Sequence, residues 1–498
     1  MDTIKLSYYD FLERLSDDDR SVLRDFFSEF DLNFATSKAE KRAFRHDFEE
    51  AIIALCERGA SVSEACERLS LTNLGGFYAR PSITWFPLDD AAKIYPICLE
   101  HGLQNNFRIS VYFKENVVPE ILQMALTFTI KRFPGFATSL KKGFFWHYLD
   151  AVKKRFAVEE ERDAPCQPIK VSISGSSSFR IMYYRNRMSA EFFHILTDGT
   201  GGAVFVKALA AEYLRLIGVV CDEKSGELID INETPVKEEF ENAFVKVERA
   251  TAGSGFVDKS SIQMSGKLSS ARPCRVLHFK MDSEKLHAAA KARGVTVTVY
   301  LLSKMFLATS AACDELSGDI NIQLPVNMRK FYPSKTLRNF AMFTGIRIPI
   351  EKIADTDELF SEIVRQMEEK TCKEKMREMI TAAVNIVGSI RYIPLVIKAP
   401  VAKLVYGFLG ETIYTTTLSN LGVVKLPRPY SEHIESMDFC LGAPALNRLA
   451  CAVVTFGNTT TFSVTKMTPD PTFEEKMYKY LSDDRLEIKV EGSEYYAH

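Results

Sequence analysis

Apolar positions in the first 75 residues recur at spacings of three and four. Between Asp17 and Phe30 they are Val22, Leu23, Phe26, Phe27 and Phe30, which predicts an amphipathic helix. A second helix is expected from about Lys38 to Arg58. Ser61 or Ser63 can cap a third, which Glu64 and Ala65 begin. From Asn106 the period changes. FRISVYF (107–113) alternates like a strand, and Pro119 to Phe133 returns to helical spacing. Further strands fit Ile169–Ser174, Phe179–Tyr184 and Met188–Phe193, followed by a long helix over Gly202–Ile217. Residues 222–270 are weakly patterned and rich in Glu, Lys, Ser and Gly, with GSG at 253–255, so a linker is placed there.

A second α/β pattern follows. CRVLHFKM (274–281) reads as a strand, and Asp282 can cap the next helix. VTVTVYLLSKMFLATSAAC (295–313) reads as a strand running into a helix, and INIQLPVNM (320–328) as another strand. Late strands fit Thr415–Ser419, Ser436–Leu441, Leu449–Phe456 and Thr460–Val464. The class is α/β. The divisions are a helical appendage over 1–78, an N-terminal lobe over 79–235, a linker over 236–270 and a C-terminal lobe over 271–498. A chain starting near Asn73 is expected to fold without the appendage.

Composition narrows the function classes. The chain of 498 residues is 46% hydrophobic and 26% charged, with a formal net charge of −2. No long run of one sign favours polyphosphate or an anionic membrane over a broad face. Ala51–Leu71, bending at Gly59, resembles a helix-turn-helix, but its acidic residues argue against DNA, and no nucleic-acid partner is expected. The ten cysteines are scattered without a CxxC, as reduced thiols are, and no metal is expected. The N-terminus lacks an apolar stretch of signal-peptide length, and no run reaches the roughly 18 apolar residues of a membrane span. Ile393–Gly410 comes nearest, but Lys398 and Lys403 interrupt it, so a buried or amphipathic helix is expected over one lying on a membrane. The expected location is cytoplasmic.

The best candidate for chemistry is EFFHILTDGTGG (191–202). His194 follows an apolar strand and precedes a Gly-rich turn, so a rigid scaffold would hold it at a cleft. An imidazole with an ordinary pKa near 6.5 suits proton removal at neutral pH. Asp198 stands just before a helix N-terminus, where negative charge is favoured. Spacing alone proves little. At ordinary Asp frequency, eight His give a chance HxxxD about a third of the time. His278 and Asp282 also match, but without a following Gly, and Asp282 reads as a cap.

HILTDG resembles the HxxxDG signature of the CoA-dependent acyltransferase superfamily, which includes chloramphenicol acetyltransferase, condensation domains, wax-ester synthases and plant alcohol acyltransferases. WFPLDDAAKIYP (85–96), RFPGFATSLKKGFFWHYLD (132–150), QLPVNMRKFYPSKTLRNFAMFTG (323–345) and SNLG (419–422) resemble bacterial proteins classed as alcohol acetyltransferases. The resemblance covers roughly residues 80–498. It implies two chloramphenicol-acetyltransferase-like α/β sandwich lobes around a central channel. It also implies His194 as general base, with Gly199 completing the motif, and Asp198 as a structural residue paired with an Arg of the second lobe. Arg329 matches that Arg, with Arg338 nearby. Ser419 and Asn420 are candidates for the oxyanion or substrate, or for a capped turn before Gly422. Asn327 is read as a turn residue. Trp146, Phe144 and Phe145 fit either a channel lining or a core. Many relatives carry a second His where this chain has Phe193, which argues against a typical peptide-synthetase condensation domain.

No Gx4GK[ST], strand-following GxGxxG, HExxH or complete GxSxG is present. The resemblance therefore implies transfer of an acetyl or short acyl group from acyl-CoA, as co-substrate, to a small-molecule alcohol, with no bound cofactor. A carrier-protein thioester donor acting on lipid or polyketide acceptors, and a non-catalytic binding member of the fold, are the alternatives.

Overall fold

Four serines start the four N-terminal helices. α1 (Tyr8–Glu13), α2 (Asp17–Asn33), α3 (Lys38–Glu57) and α4 (Val62–Arg68) follow Ser7, Ser16, Ser37 and Ser61, and each serine side chain accepts the backbone N–H three residues on. At Ser61 the Glu64 carboxylate returns a bond to the cap's own N–H, so Ser61 and not Ser63 begins α4. The structure, a computed structural model, describes residues 7–71, 74, 77, 85–93, 95–97, 105–152, 154–169, 177–222, 226, 228–251, 258–271, 273–398, 411–444 and 446–493. Residues 170–174 of the expected strand, the GSG at 253–255 and most of the apolar run up to Gly410 lie outside them.

The first lobe contains β1 (Trp85–Pro87), β2 (Asn106–Phe113), α5 (Pro119–Ile130), β3 (Thr138–Lys142), β4 (His147–Ala151), β5 (Val158–Glu160), β6 (Phe179–Tyr184), β7 (Arg187–Phe193) and α6 (Gly199–Leu216). The sequence places the start of α6 at Gly202. It begins three residues earlier because the Asp198 carboxylate accepts the Gly201 N–H and captures the glycine turn into the helix.

The helical appendage is not separable packing. Phe44, Phe48, Ile52 and Leu55 of α3 are buried in the same apolar core as α5 and β2. The Phe48 ring meets Phe128 at 6.2 Å, and Arg155 Nη2 donates to Asp47 Oδ1 at 2.8 Å. α5 uses α3 as a cover, so a chain starting near Asn73 would expose that face of α5.

The second half contributes β8 (Arg275–Asp282), α7 (Ser283–Ala292), α8 (Val297–Ala311), β9 (Asp319–Asn327), β10 (Ala341–Pro349), α9 (Asp357–Lys370), α10 (Lys373–Ser389), β11 (Thr416–Val424), α11 (Arg428–Ser431), β12 (Ile434–Leu441), β13 (Leu449–Phe456), β14 (Thr459–Lys466), α12 (Thr472–Asp483) and β15 (Ile488–Gly492). No strand precedes α8, contrary to the reading of 295–313. Thr296 caps the helix, and the β-branched residues after it are its buried first turn. Burial overrides their strand preference.

A seven-stranded sheet runs β10-β9-β11-β13-β14-β8-β15, and a five-stranded sheet runs β12-β2-β7-β6-β5. The second sheet takes β12 from the C-terminal half, paired antiparallel with β2 from Ile434↔Phe113 to Leu441↔Phe107. One strand thus ties the two halves beneath the loop that follows β7. β1, β4 and β3 form a small separate sheet.

Candidate active site

His194 is the first residue past β7. Asn106 pairs with Phe193 on the last rung, and the His194 N–H donates to the Asn105 carbonyl at 2.8 Å. The backbone at His194 is therefore an extension of the sheet ladder. The ring is half-buried between Tyr95 (centroids 5.4 Å) and the edge-on ring of Phe107 (5.2 Å). Phe193 is fully buried on the opposite face, so the position where relatives carry a second His is core here.

Asn339 controls one side of the ring. Its Nδ2 donates to the His194 carbonyl at 2.7 Å and stands 2.9 Å from Nδ1. A base that accepts a proton at Nε2 must carry its resting proton on Nδ1. The Asn339 amide nitrogen can only donate, so at 2.9 Å it bonds Nδ1 in the tautomer that lacks that proton; in the reactive tautomer the Nδ1 proton turns to the ring's own carbonyl instead. Among the described residues no hydrogen bond engages Nε2. Burial pushes the imidazole pKa down, while the Asp198 charge and the bond to the carbonyl pull against it. Neutral, proton-accepting imidazole is the favoured form near pH 7.

Asp198 points away from the ring into three donors. Oδ1 caps α6 through the Gly201 N–H at 3.0 Å. Oδ2 accepts Arg329 Nη1 at 2.6 Å and the Phe340 N–H at 2.8 Å. Arg329 does not fork onto the carboxylate. Its remaining N–H groups donate to the Thr336 carbonyl at 2.8 Å and the Arg338 carbonyl at 2.8 Å, closing the loop between β9 and β10. Thr197 Oγ1 donates to the Leu337 carbonyl at 2.6 Å, and Asn327 Nδ2 donates to Thr200 Oγ1 at 3.1 Å. Asn327 also accepts the Arg329 N–H, so it is a turn residue and an inter-lobe contact together. Residues 327–340 of the second lobe therefore clasp the 194–201 loop at successive positions. The clasp is tight: a Cβ on Gly201 would stand 2.2 Å from both the Leu337 oxygen and Thr197 Oγ1.

Arg338 turns the other way. It donates to the carbonyls of Pro87 (2.6 Å) and Phe240 (3.2 Å) and lies 3.7 Å from Asp89. Burial lifts the Asp89 pKa to about 6 against the pull of Arg338. Arg338 so fixes residues 87–89, the segment that leads to Tyr95. Burial and the charges of Asp89 and Asp198 raise the Tyr95 pKa and keep its hydroxyl protonated; a bond with Asn339 opposes them.

The SNLG segment lies on β11, where the register with β13 shifts between Asn420 and Val423 and Gly422 takes φ +80°. Leu421 reaches the N-terminus of α6, 3.3 Å from where a Cβ on Gly199 would lie. Asn420 is exposed, its amide donates to Thr298 Oγ1 at 2.9 Å, and its oxygen accepts the Gly422 N–H. Its side chain closes the turn. Ser419 is half-buried one residue before. The second HxxxD match is structural: Asp282 caps α7, and His278 is buried in β8, 2.9 Å from Ser463 Oγ. Sequence reasoning missed Asn339 and Tyr95. Both lie inside the segments whose resemblance was noted, but no spacing rule brings them to His194.

No protein-family profile matches the chain, and no curated protein matches its sequence. Solved structures do match. TRI101 of Fusarium sporotrichioides, complexed with coenzyme A and T-2, superposes with TM-score 0.57 at 12% identity, covering 82% of this chain and 100% of that one. TRI3 trichothecene 15-O-acetyltransferase of the same organism gives 0.53 at 12% identity, covering 80% and 94%. Polyketide synthase associated protein 5 of Mycobacterium tuberculosis gives 0.53 at 12% identity, covering 81% and 98%. This chain shares the fold of these three proteins. In these two-lobed proteins the likeness at such low identity is one of architecture. Among the described residues of this chain, no single helix is long and apolar enough to cross a membrane.

Proposed function

We propose that the protein transfers an acetyl or short acyl group from coenzyme A to an alcohol hydroxyl. The observation that carries this reading is His194, with its Nδ1 side occupied, its Nε2 unengaged and its ring set where the two lobes meet. The structural neighbours support it: one is a trichothecene 15-O-acetyltransferase, and another is complexed with coenzyme A. His194 Nε2 takes the hydroxyl proton while the oxygen attacks the thioester carbonyl. The tetrahedral oxyanion collapses, the C–S bond breaks, and the departing thiolate takes the proton from His194. The products are an ester and free coenzyme A. Acyl-CoA is a co-substrate, and the residues present complete the step without a bound cofactor.

Asp198 does not touch the reacting atoms in this scheme. It holds the His194 loop to the second lobe through Arg329 and the Phe340 N–H. Ser419 remains the candidate from the SNLG strand for the oxyanion. Asn420 is the second candidate, with one amide N–H on Thr298 Oγ1 and the other left to donate.

The test is thiol release from acetyl-CoA across a panel of alcohols, with acyl-carrier thioesters as the rival donor. His194→Ala should lower kcat by about 10²–10⁴-fold with little change in affinity for the donor. His278→Ala should leave kcat intact. Wild-type turnover in His194→Ala would remove His194 from the mechanism, and turnover only with the carrier-bound thioester would replace coenzyme A as donor.

A further inference from the structure

Large exposed apolar side chains are normally scattered over a protein surface, and a cluster of them marks an interaction site. Of the 18 such side chains among the described residues, six stand on two adjoining segments: Phe144 and Phe145, and Tyr392, Ile393, Val396 and Ile397. Phe144, Tyr392 and Val396 are each more than 70% exposed. The aromatic tip was expected in a channel or a core, and the segment from Ile393 in a buried or amphipathic helix. The described part presents its apolar residues to solvent.

The two segments form one surface. The Leu395 N–H donates to the Phe144 carbonyl at 2.9 Å, and the Phe145 ring lies 6.3 Å from Tyr392. The surface is built on buried supports. Lys398 sits over the Trp146 ring at 3.2 Å and donates to the Phe145 carbonyl at 2.9 Å, and Leu395 is buried between the segments. Gly143 closes the turn between β3 and β4 so tightly that a Cβ would meet the Trp146 carbonyl at 2.5 Å, which holds the two phenylalanines at the tip.

Along the sequence of these two segments the charge has one sign. No Asp or Glu occurs from Phe133 to Leu149 or from Met379 to Gly410, whereas Lys141, Lys142, Arg391, Lys398 and Lys403 do. Lys142 and Arg391 are exposed beside the apolar tips, and the Arg391 guanidinium stacks 4.4 Å from the Tyr392 ring. The whole chain carries a net −2, so these cations are a local feature and not a general basicity. Aromatic and aliphatic tips flanked by the exposed Lys142 and Arg391, with no acid on either segment, are the chemistry of an interfacial anchor for an anionic bilayer.

We propose that residues 142–145 and 391–397 dock the protein on a membrane surface containing anionic lipid. The proposal is independent of the acyl-transfer reading. The experiment is co-sedimentation of the full chain with phosphatidylcholine vesicles, with and without phosphatidylglycerol. The wild type should sediment with the phosphatidylglycerol vesicles, and less so as salt is raised. The triple variant Phe144→Ser, Tyr392→Ser, Val396→Ser should bind at least about tenfold more weakly. Lys142→Glu with Arg391→Glu should weaken binding roughly tenfold as well and blunt its salt dependence. All these positions are exposed, so an unchanged melting temperature verifies that each variant is folded. A wild type left in the supernatant with both vesicle types overturns the proposal, as does a triple variant that binds like the wild type. A wild-type oligomer that the triple substitution turns into a monomer, with no vesicle binding, assigns the patch to a second copy of this chain instead.

Discussion

Replacing Asp198 by Ala removes one acceptor from three donors at once. The Gly201 N–H loses its cap on α6, which costs about 0.5–2 kcal/mol. The Phe340 N–H, held at 2.8 Å in a buried place, is left without its acceptor at about 1–3 kcal/mol. Arg329 loses its one carboxylate among the described residues, but its other N–H groups keep the carbonyls of Thr336 and Arg338. The penalty for the stranded charge therefore falls at or below the low end of the roughly 3–5 kcal/mol typical of a broken buried pair. The Arg329 side chain is 13% exposed and that of Asp198 4%, so the pair is well but not fully shielded. Asp198→Ala should cost more than Arg329→Ala, because Asp198 serves three partners and Arg329 is the partner of only one of its oxygens.

The two losses share one interaction. The double variant should then fall short of the sum by about 1–3 kcal/mol. Urea unfolding of the wild type, both singles and the double measures the stability cycle, and kcat/KM for acetyl-CoA measures it in the rate. Strict additivity in both would show that the 2.6 Å contact does no coupling and would refute the clasp. Asp198→Asn separates structure from chemistry. With its oxygen capping Gly201, the amide turns a donating NH2 toward Arg329 and the Phe340 N–H and accepts from neither, so stability and rate should fall together. Untouched stability with abolished turnover would assign Asp198 to the chemistry.

The pH dependence follows from the lowered His194 pKa. The proton-accepting form persists below the ordinary imidazole value of about 6.5, so the acid limb of kcat/KM should be centred below that value, and Asn339→Asp, which places a charge beside the ring, should move it upward; a wild-type limb at or above 6.5 contradicts this. Gly201→Ala forces a methyl into the Leu337 carbonyl and should cost about 1–3 kcal/mol by thermal or urea unfolding. Gly199→Ala meets only the tip of the Leu421 side chain and should be much milder, and equal losses would show that the clasp yields. A chain starting at Asn73 loses the α3 face from α5 and should be insoluble or melt far below the full protein; a soluble truncation with unchanged melting would show that α3 adds nothing to the core.

What was legible in the sequence follows what is local. β6 and β13 were placed to the residue, and β7 to within one residue, because alternation and flanking turns are short-range signals. The apolar period likewise placed α2 and α3. The stretch 295–313 misled because Val and Thr favour strands locally, while the helix there is decided by burial against the second-lobe core. The membership of β12 in the first sheet and the docking of α3 on α5 have no local signal, since both are pairings of distant segments. Asn339 and Tyr95 were missed for the same reason: nothing in RNF or KIYP announces a histidine far off in the chain.

The choice between Arg329 and Arg338 shows where such reading stops. Both arginines stand on the connection from β9 to β10, and both are long enough to reach a neighbouring lobe, so composition and spacing favour neither. The backbone separates them. Arg329 follows the Asn327 turn, which accepts its N–H, and its guanidinium folds across the loop onto the Thr336 and Arg338 carbonyls. Closing its own loop leaves Nη1 aimed out of the second lobe at Asp198. Arg338, whose carbonyl is used in that closure, sends its side chain to the other side, toward Asp89 and the Pro87 carbonyl. One arginine therefore fixes the loop after His194, and the other fixes the segment before Tyr95. The ring of His194 is held from both sides by a single hairpin of the second lobe, and any change in how the lobes meet must move the base and the Tyr95 wall together.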